Sequence, residues 1–116
     1  NFLHGRIESM SGSVATIALE IGGRAQCAVA GGAVGQSVTL ALRPEKISFE
    51  GAVNGINQVR GRVTDVVFSG NSTTYRVAVG DASMTLFRQN LSGNPVAPGA
   101  EVTLSWSGDH LVAVTP

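Results

Sequence analysis

Hydrophobic positions along this chain alternate with polar ones in short runs and do not return every third or fourth residue. The runs are rich in Val, Ile, Leu and Thr and are cut by Gly, Asn and Ser every eight to twelve residues or so. A period of two sends successive side chains to opposite faces of an extended backbone, so the pattern predicts strands with one buried face. Strands are expected near 5–10, 13–21, 24–30, 37–43 and 46–50, then near 60–68, 72–80, 82–88, 101–107 and 110–115. The chain reads as all-β.

The two sets of strands share one rhythm, which marks an internal repeat. Met10-Ser11-Gly12 returns 58 positions later as Phe68-Ser69-Gly70, and the apolar face Ile17, Leu19, Ile21 returns as Tyr75, Val77, Val79. The turns Gly22-Gly23 and Gly80-Asp81 superpose at the same offset, each suited to the positive φ of a tight hairpin. Upstream, Gly5-Arg6-Ile7 matches Gly61-Arg62-Val63 at an offset of 56, which implies a strand or bulge two residues longer in the second copy. An even insertion leaves every side chain on its original face. Downstream, Gly35 to Leu40 matches Gly99 to Leu104 at an offset of 64, so six residues are added in the Gly- and Pro-containing stretch Arg88 to Glu101, read as a surface loop. The plan is a tandem of five-stranded OB-like barrels: repeat 1–50, a connecting turn 51–58, and repeat 59–116. Units of this size have little stability to spare, so they are expected to pack together or interlock strands.

A chain of 116 residues excludes a multi-domain machine. Eight basic and eight acidic residues fall well below the roughly 29 charged residues that an average soluble chain of this length would carry. They cancel, so no net field steers the chain to phosphate backbones or anionic lipid. No apolar run is long enough to span a bilayer and the opening residues are not a signal peptide, so direct membrane insertion is not expected. A chain that opens on Asn1 instead of Met is expected to continue upstream. The single Cys27 forms no internal disulfide and reads as a small core residue in a reducing compartment.

Catalytic chemistry finds no constellation. His4 and His110 lie in different copies without Cys or His neighbours at metal spacing, no Gly-x-Ser-x-Gly elbow occurs, and the carboxylates are dispersed. Gly31 to Gly35 lacks the Lys and Ser/Thr of a phosphate loop. Asn71-Ser72-Thr73 and Asn90-Leu91-Ser92 read as turns and not as glycosylation acceptors. Single-stranded nucleic acid needs aromatic platforms interleaved with basic residues, and six aromatics with one close basic pair, Arg60 and Arg62, are a thin stock. Tyr75, Phe68, Phe49 and Trp106 read as core or strand-end residues.

One short motif stands apart: Leu42-Arg43-Pro44-Glu45-Lys46-Ile47. Pro44 breaks the strand and biases Arg43 toward extended backbone, so Arg43 and Glu45 are expected to project to one side, able to pair with each other or with a partner. The equivalent point of the second copy, Ser107-Gly108-Asp109, reads as an ordinary turn. A capped strand end and a recognition edge both fit this motif.

These residues carry a resemblance. Asn1-Phe2-Leu3 with Gly5-Arg6-Ile7, the Leu42 to Ile47 segment, Gly61-Arg62-Val63 through Phe68-Ser69-Gly70 and Tyr75, and the closing Val102-Thr103-Leu104-Ser105-Trp106 resemble the transport-associated OB (TOBE) region. That region forms the C-terminal part of ATP-binding subunits of bacterial ABC importers, particularly the spermidine/putrescine and ferric-iron type. The resemblance implies a non-catalytic regulatory and dimer-stabilising domain, with docking carried over to Arg43, Pro44 and Glu45. It implies as partners a second copy of the subunit, the subunit's own nucleotide-binding domain and the permease, at the inner face of the cell membrane. ATP and magnesium would belong to the nucleotide-binding domain alone, since this chain has no Walker A loop, Walker B strand or signature helix. Leu91-Ser92-Gly93-Asn94 only begins like that signature, and no cluster looks like the oxyanion site of molybdate-binding relatives. Two rival readings are a small-ligand or oxyanion sensor built on glycine-turn amides and a single-strand nucleic-acid module.

Overall fold

The computed structural model describes residues 1–50, 55–89 and 96–114. Nine strands run in the order β1 (Phe2–Ser11), β2 (Val14–Leu19), β3 (Arg24–Ala28), β4 (Ser37–Leu42), β5 (Gln58–Ser69), β6 (Ser72–Val79), β7 (Ala82–Gln89), β8 (Glu101–Ser105) and β9 (Leu111–Val114). Single 3-10 turns at Pro44–Lys46 and Gly108–His110 precede the last segment of each repeat. The protein is all-β: two curled antiparallel sheets of the OB kind, ordered β3-β2-β1-β4-β9 and β7-β6-β5-β8.

The alternation read from the sequence becomes the burial pattern. On β2 Ala15, Ile17 and Leu19 face inward, and on β6 Thr73, Tyr75, Val77 and Val79 do the same. Both repeats also share a bulge, because Ile7 and Ser9 pair with consecutive residues of β2 as Val63 and Asp65 do with β6. Glu8 and Thr64 are the extra residues, and each bulge coils its strand. Just before it, Gly5 and Gly61 let the neighbouring strand approach: a Cβ would lie 2.5 Å from the Ala18 carbonyl oxygen at Gly5 and 2.6 Å from that of Ala78 at Gly61.

The two-residue insertion lengthens a hairpin, since β5 has 12 residues against 10 in β1. Its consequence falls on Phe68, expected to close an apolar strand. Phe68 is 63% exposed because the longer hairpin carries it past the barrel rim, whereas its equivalent Met10 packs against the core.

The fifth segment of each repeat is exchanged. β9, from the second repeat, pairs with β4 of the first, Leu42 opposite Leu111 and Thr39 opposite Val114. Reciprocally, Ser48 of the first repeat bridges to Ser105 on β8, with backbone bonds of 2.8 and 2.9 Å, and the Ser105 hydroxyl donates to the Glu50 carbonyl. The strand expected at 46–50 is therefore corrected to a 3-10 turn followed by one bridge: Pro44 has no amide hydrogen to give a ladder, and its φ suits the first position of a helical turn. One continuous core runs through both repeats, from Leu3, Ile7 and Leu40 to Val63, Met84 and Leu104. Residues 51–54 of the connecting turn, and 90–95, which hold the whole Asn90-Leu91-Ser92-Gly93-Asn94 stretch and the Pro95 of the long loop, lie outside the described residues.

Candidate functional site

Arg43 has φ −73° and ψ 140°, the extended conformation a following proline favours, and its carbonyl accepts from the Lys46 amide at 3.0 Å. Pro44 is half-buried where the turn packs on β7, while Arg43 and Glu45 are exposed. The expectation that these two charges lie along an extended segment is corrected: they flank the first residue of a 3-10 turn. Neither makes an ion pair among the described residues, where the salt bridges are Arg24 with Glu8 at 2.7 Å and Arg62 with Glu101 at 3.2 Å. Glu8 raises the Arg24 guanidinium above its ordinary pKa through that hydrogen bond first and its charge second. The second-repeat equivalent, Gly108–His110, is a 3-10 turn of the same kind on β3, capped by the Ser107 side chain, which accepts from the Asp109 amide at 3.3 Å.

The strands on which the two turns pack, β7 and β3, are each held by an asparagine side chain, a role the sequence motifs do not assign. The Asn1 side chain donates to the Thr85 carbonyl at 2.7 Å and accepts from the Thr85 amide at 2.8 Å. Asn57 accepts from the Gln26 amide at 2.8 Å and donates to the Gln26 carbonyl at 3.4 Å. Each asparagine thus reads one residue of an edge strand in the other repeat as a neighbouring strand would, and satisfies backbone groups that an edge leaves open. Their carbonyls repeat the symmetry: Leu42 donates to Asn1 at 2.8 Å, and Trp106 donates to Asn57 at 3.1 Å. The signal was present in sequence as Asn-x-x-x-Gly-Arg at positions 1 and 57, visible once the repeat is extended four residues upstream of glycine.

Two open recesses sit at equivalent places on the outer faces. One, of about 430 Å³, is lined by His4, Arg6, Glu20 and Thr39, and the other, of about 320 Å³, by Arg60, Arg62 and Glu101. Their charges are exposed and of both signs, and His4 Nδ1 shares a 3.1 Å hydrogen bond with the Thr39 hydroxyl. No group of three His, Cys, Asp or Glu among the described residues can hold a metal. Cys27 is buried, and burial raises its thiol pKa, the opposite of what activates a nucleophile. No helix among the described residues is long and apolar enough to cross a membrane.

The comparisons with known proteins agree with one another. The family model described as TOBE domain matches residues 40–114. The spermidine/putrescine import ATP-binding protein PotA of Rubrobacter xylanophilus is 34% identical over 115 residues, 95% of this chain and 30% of that protein. PotA of Frankia alni is 41% identical over 81 residues, 66% of this chain and 17% of its own length. The chain thus spans less than a third of either relative. Among solved structures, the cytoplasmic molybdate-binding protein ModG superposes with a TM-score of 0.82 at 15% identity, covering 100% of this chain and 96% of that one, a likeness of fold. With the family model spanning most of the chain and the repeat's motifs in order, this protein belongs to the TOBE domain family.

Proposed function

We propose that this chain is the non-catalytic, regulatory and dimer-stabilising C-terminal domain of an ABC importer ATP-binding subunit of the polyamine-transporting kind. The observation that carries the reading is the extent of kinship: identity runs along 95% of this chain but only 30% of a spermidine/putrescine import ATP-binding protein. The remaining length of such a subunit is where ATP and magnesium would bind and hydrolysis would occur. The partners are that nucleotide-binding domain, a second copy of the subunit and, through the subunit, the permease at the inner face of the membrane.

The fold supports a mechanical role. Two repeats that exchange segments and share one core cannot hinge apart without breaking both clamps, so the body of 43 × 28 × 24 Å moves as a unit. Arg43 and Glu45, exposed on one turn and without an ion pair among the described residues, suit docking to a charged neighbour through Pro44's fixed backbone. A second reading, oxyanion sensing, draws on the ModG likeness, which is one of fold. The first reading is tested by deleting this domain from the parent subunit. Nucleotide binding should survive while the nucleotide-free dimer and polyamine import are lost; unchanged import would sink it. A thermal shift of several degrees with molybdate or tungstate, absent with chloride, would favour the second.

A further inference from the structure

Asn1 is held on two sides. Its side chain bonds both backbone groups of Thr85 on β7, at 2.7 and 2.8 Å, and its carbonyl accepts from the Leu42 amide at 2.8 Å. Anything joined to its nitrogen therefore leaves the fold from a fixed point. The next residue, Phe2, alternates with buried Leu3, so its ring turns outward and is 67% exposed. Ladder pairing continues its row through Ala41 on β4 to Val112 on β9, which is 61% exposed. At about 4.8 Å between neighbouring strands, this uncharged row is roughly 10 Å wide. Where β4 ends, it meets Arg43 and Glu45, which make no ion pair among the described residues. An apolar centre rimmed by unpaired charges is the composition of a protein interface.

We propose that the outer face formed by Phe2, Ala41 and Val112 is the surface on which this domain seats the nucleotide-binding part of its own subunit. The inference rests on the reading above, in which that part precedes Asn1, and it names the surface between the two. The tether selects the occupant. This chain corresponds to 30% of a spermidine/putrescine import ATP-binding protein, so the attached part is more than twice its size. Phe2 is one residue, about 3.8 Å, from the point of attachment. The attached body thus reaches this row without the loss of free motion that a separate molecule incurs on binding. Val34 is as exposed, at 66%, but it lies at the other end of β1, where the next residue, Gly35, bonds to the Ile7 carbonyl. Five residues of strand, about 17 Å, separate that end from Phe2, so Val34 has no such tether.

Maleimide labelling of the full-length subunit tests the surface. Val112→Cys and Val34→Cys are nearly equally exposed in this domain, so any difference in their rates reports what covers them in the whole subunit. Val112→Cys should react at least tenfold more slowly than Val34→Cys, and the two should react alike in urea. Buried Cys27 should stay unreactive before urea is added, which reports an intact core in each variant. The slow rate at Val112→Cys should persist at concentrations where the subunit is monomeric, because the contact is made within one chain. In parallel, Phe2→Glu should speed the release of this domain by limited proteolysis severalfold, and Val34→Glu should not. Equal labelling rates in a subunit that binds ATP overturn the surface but leave the regulatory and dimer-stabilising reading intact. Protection of Val112→Cys that disappears on dilution assigns the face to a second copy and overturns the proposal as well. A full-length protein that binds no nucleotide defeats the reading on which the proposal rests.

Discussion

Replacing Asn57 by Ala removes two things at once, and the structure lets them be separated. The side chain accepts from the Gln26 amide at 2.8 Å and donates to its carbonyl at 3.4 Å in a half-buried seam. At about 1 kcal/mol net for each bond, the clamp contributes roughly 2 kcal/mol. Asn57 also holds φ at 59°, the left-handed region that asparagine tolerates and alanine resists, which adds about 1 kcal/mol. Asn57→Ala should therefore cost about 3 kcal/mol, against total stabilities of about 5–15 kcal/mol. Asn57→Gly relieves the backbone and loses only the clamp, about 2 kcal/mol. Asn1→Ala, at the matching clamp on Thr85, should resemble Asn57→Gly in size because no positive φ is involved. Urea denaturation followed by far-ultraviolet circular dichroism gives these differences directly as midpoint shifts at constant slope. If Asn57→Gly is as stable as wild type, the side-chain bonds hold nothing and the interlocked seam rests on packing alone.

Other consequences can be measured on the same variants. Gly61→Ala should lose about 1–3 kcal/mol, because its Cβ would sit 2.6 Å from the Ala78 carbonyl oxygen and 2.7 Å from Val77 Cγ1; Gly12→Ala, with open space but φ at 62°, should lose about 1 kcal/mol in the same titration. Arg62→Ala should change stability by less than about 0.5 kcal/mol, since both partners of its ion pair are well exposed, and salt should not alter that result. The Cys27 thiol, raised by burial, ionises later in the folded chain than in the unfolded one. Its contribution is full below the ordinary thiol pKa of about 8.5 and declines as pH rises past it, so Cys27→Ala should flatten the loss of stability between neutral and alkaline pH. Fluorescence anisotropy with an oligothymidylate should show no salt-dependent binding. Arg24 and Arg62 are already paired with carboxylates, and exposed Phe2 lies on the opposite sheet from Phe68 and Phe87.

Much of the architecture was legible because a strand's period of two is a local property. Ile17 and Leu19 predict their own burial without reference to anything distant, and so do Tyr75, Val77 and Val79. The repeat then multiplied the signal, placing the hairpins at matched positions, whereas the bulge present in both copies and the two 3-10 turns were not read from it. The exchange of terminal segments was only a general expectation. Ile47 and Leu111 are apolar whichever sheet receives the strand that follows, so alternation alone does not choose between β4 and β8 as partner. The clamps were missed for another reason. Asparagine at a strand start reads as turn chemistry, and its second meaning, as a substitute strand, exists only when the other repeat's edge lies beside it. Phe68 failed similarly, since a residue in phase with the core is still exposed when its hairpin outruns the barrel. At Arg43 and Glu45 proline chemistry was read correctly as a break, but the helical turn after the break depends on packing against β7.

The proposed role of this domain is to hold a pair of importer ATPase subunits together while their nucleotide-binding parts open. It is tested most directly by the rate at which donor- and acceptor-labelled full-length subunits exchange partners without nucleotide, read by energy transfer and compared with subunits lacking this domain but still binding ATP. The account predicts slow exchange with the domain and at least tenfold faster exchange without it. Equal rates would contradict it.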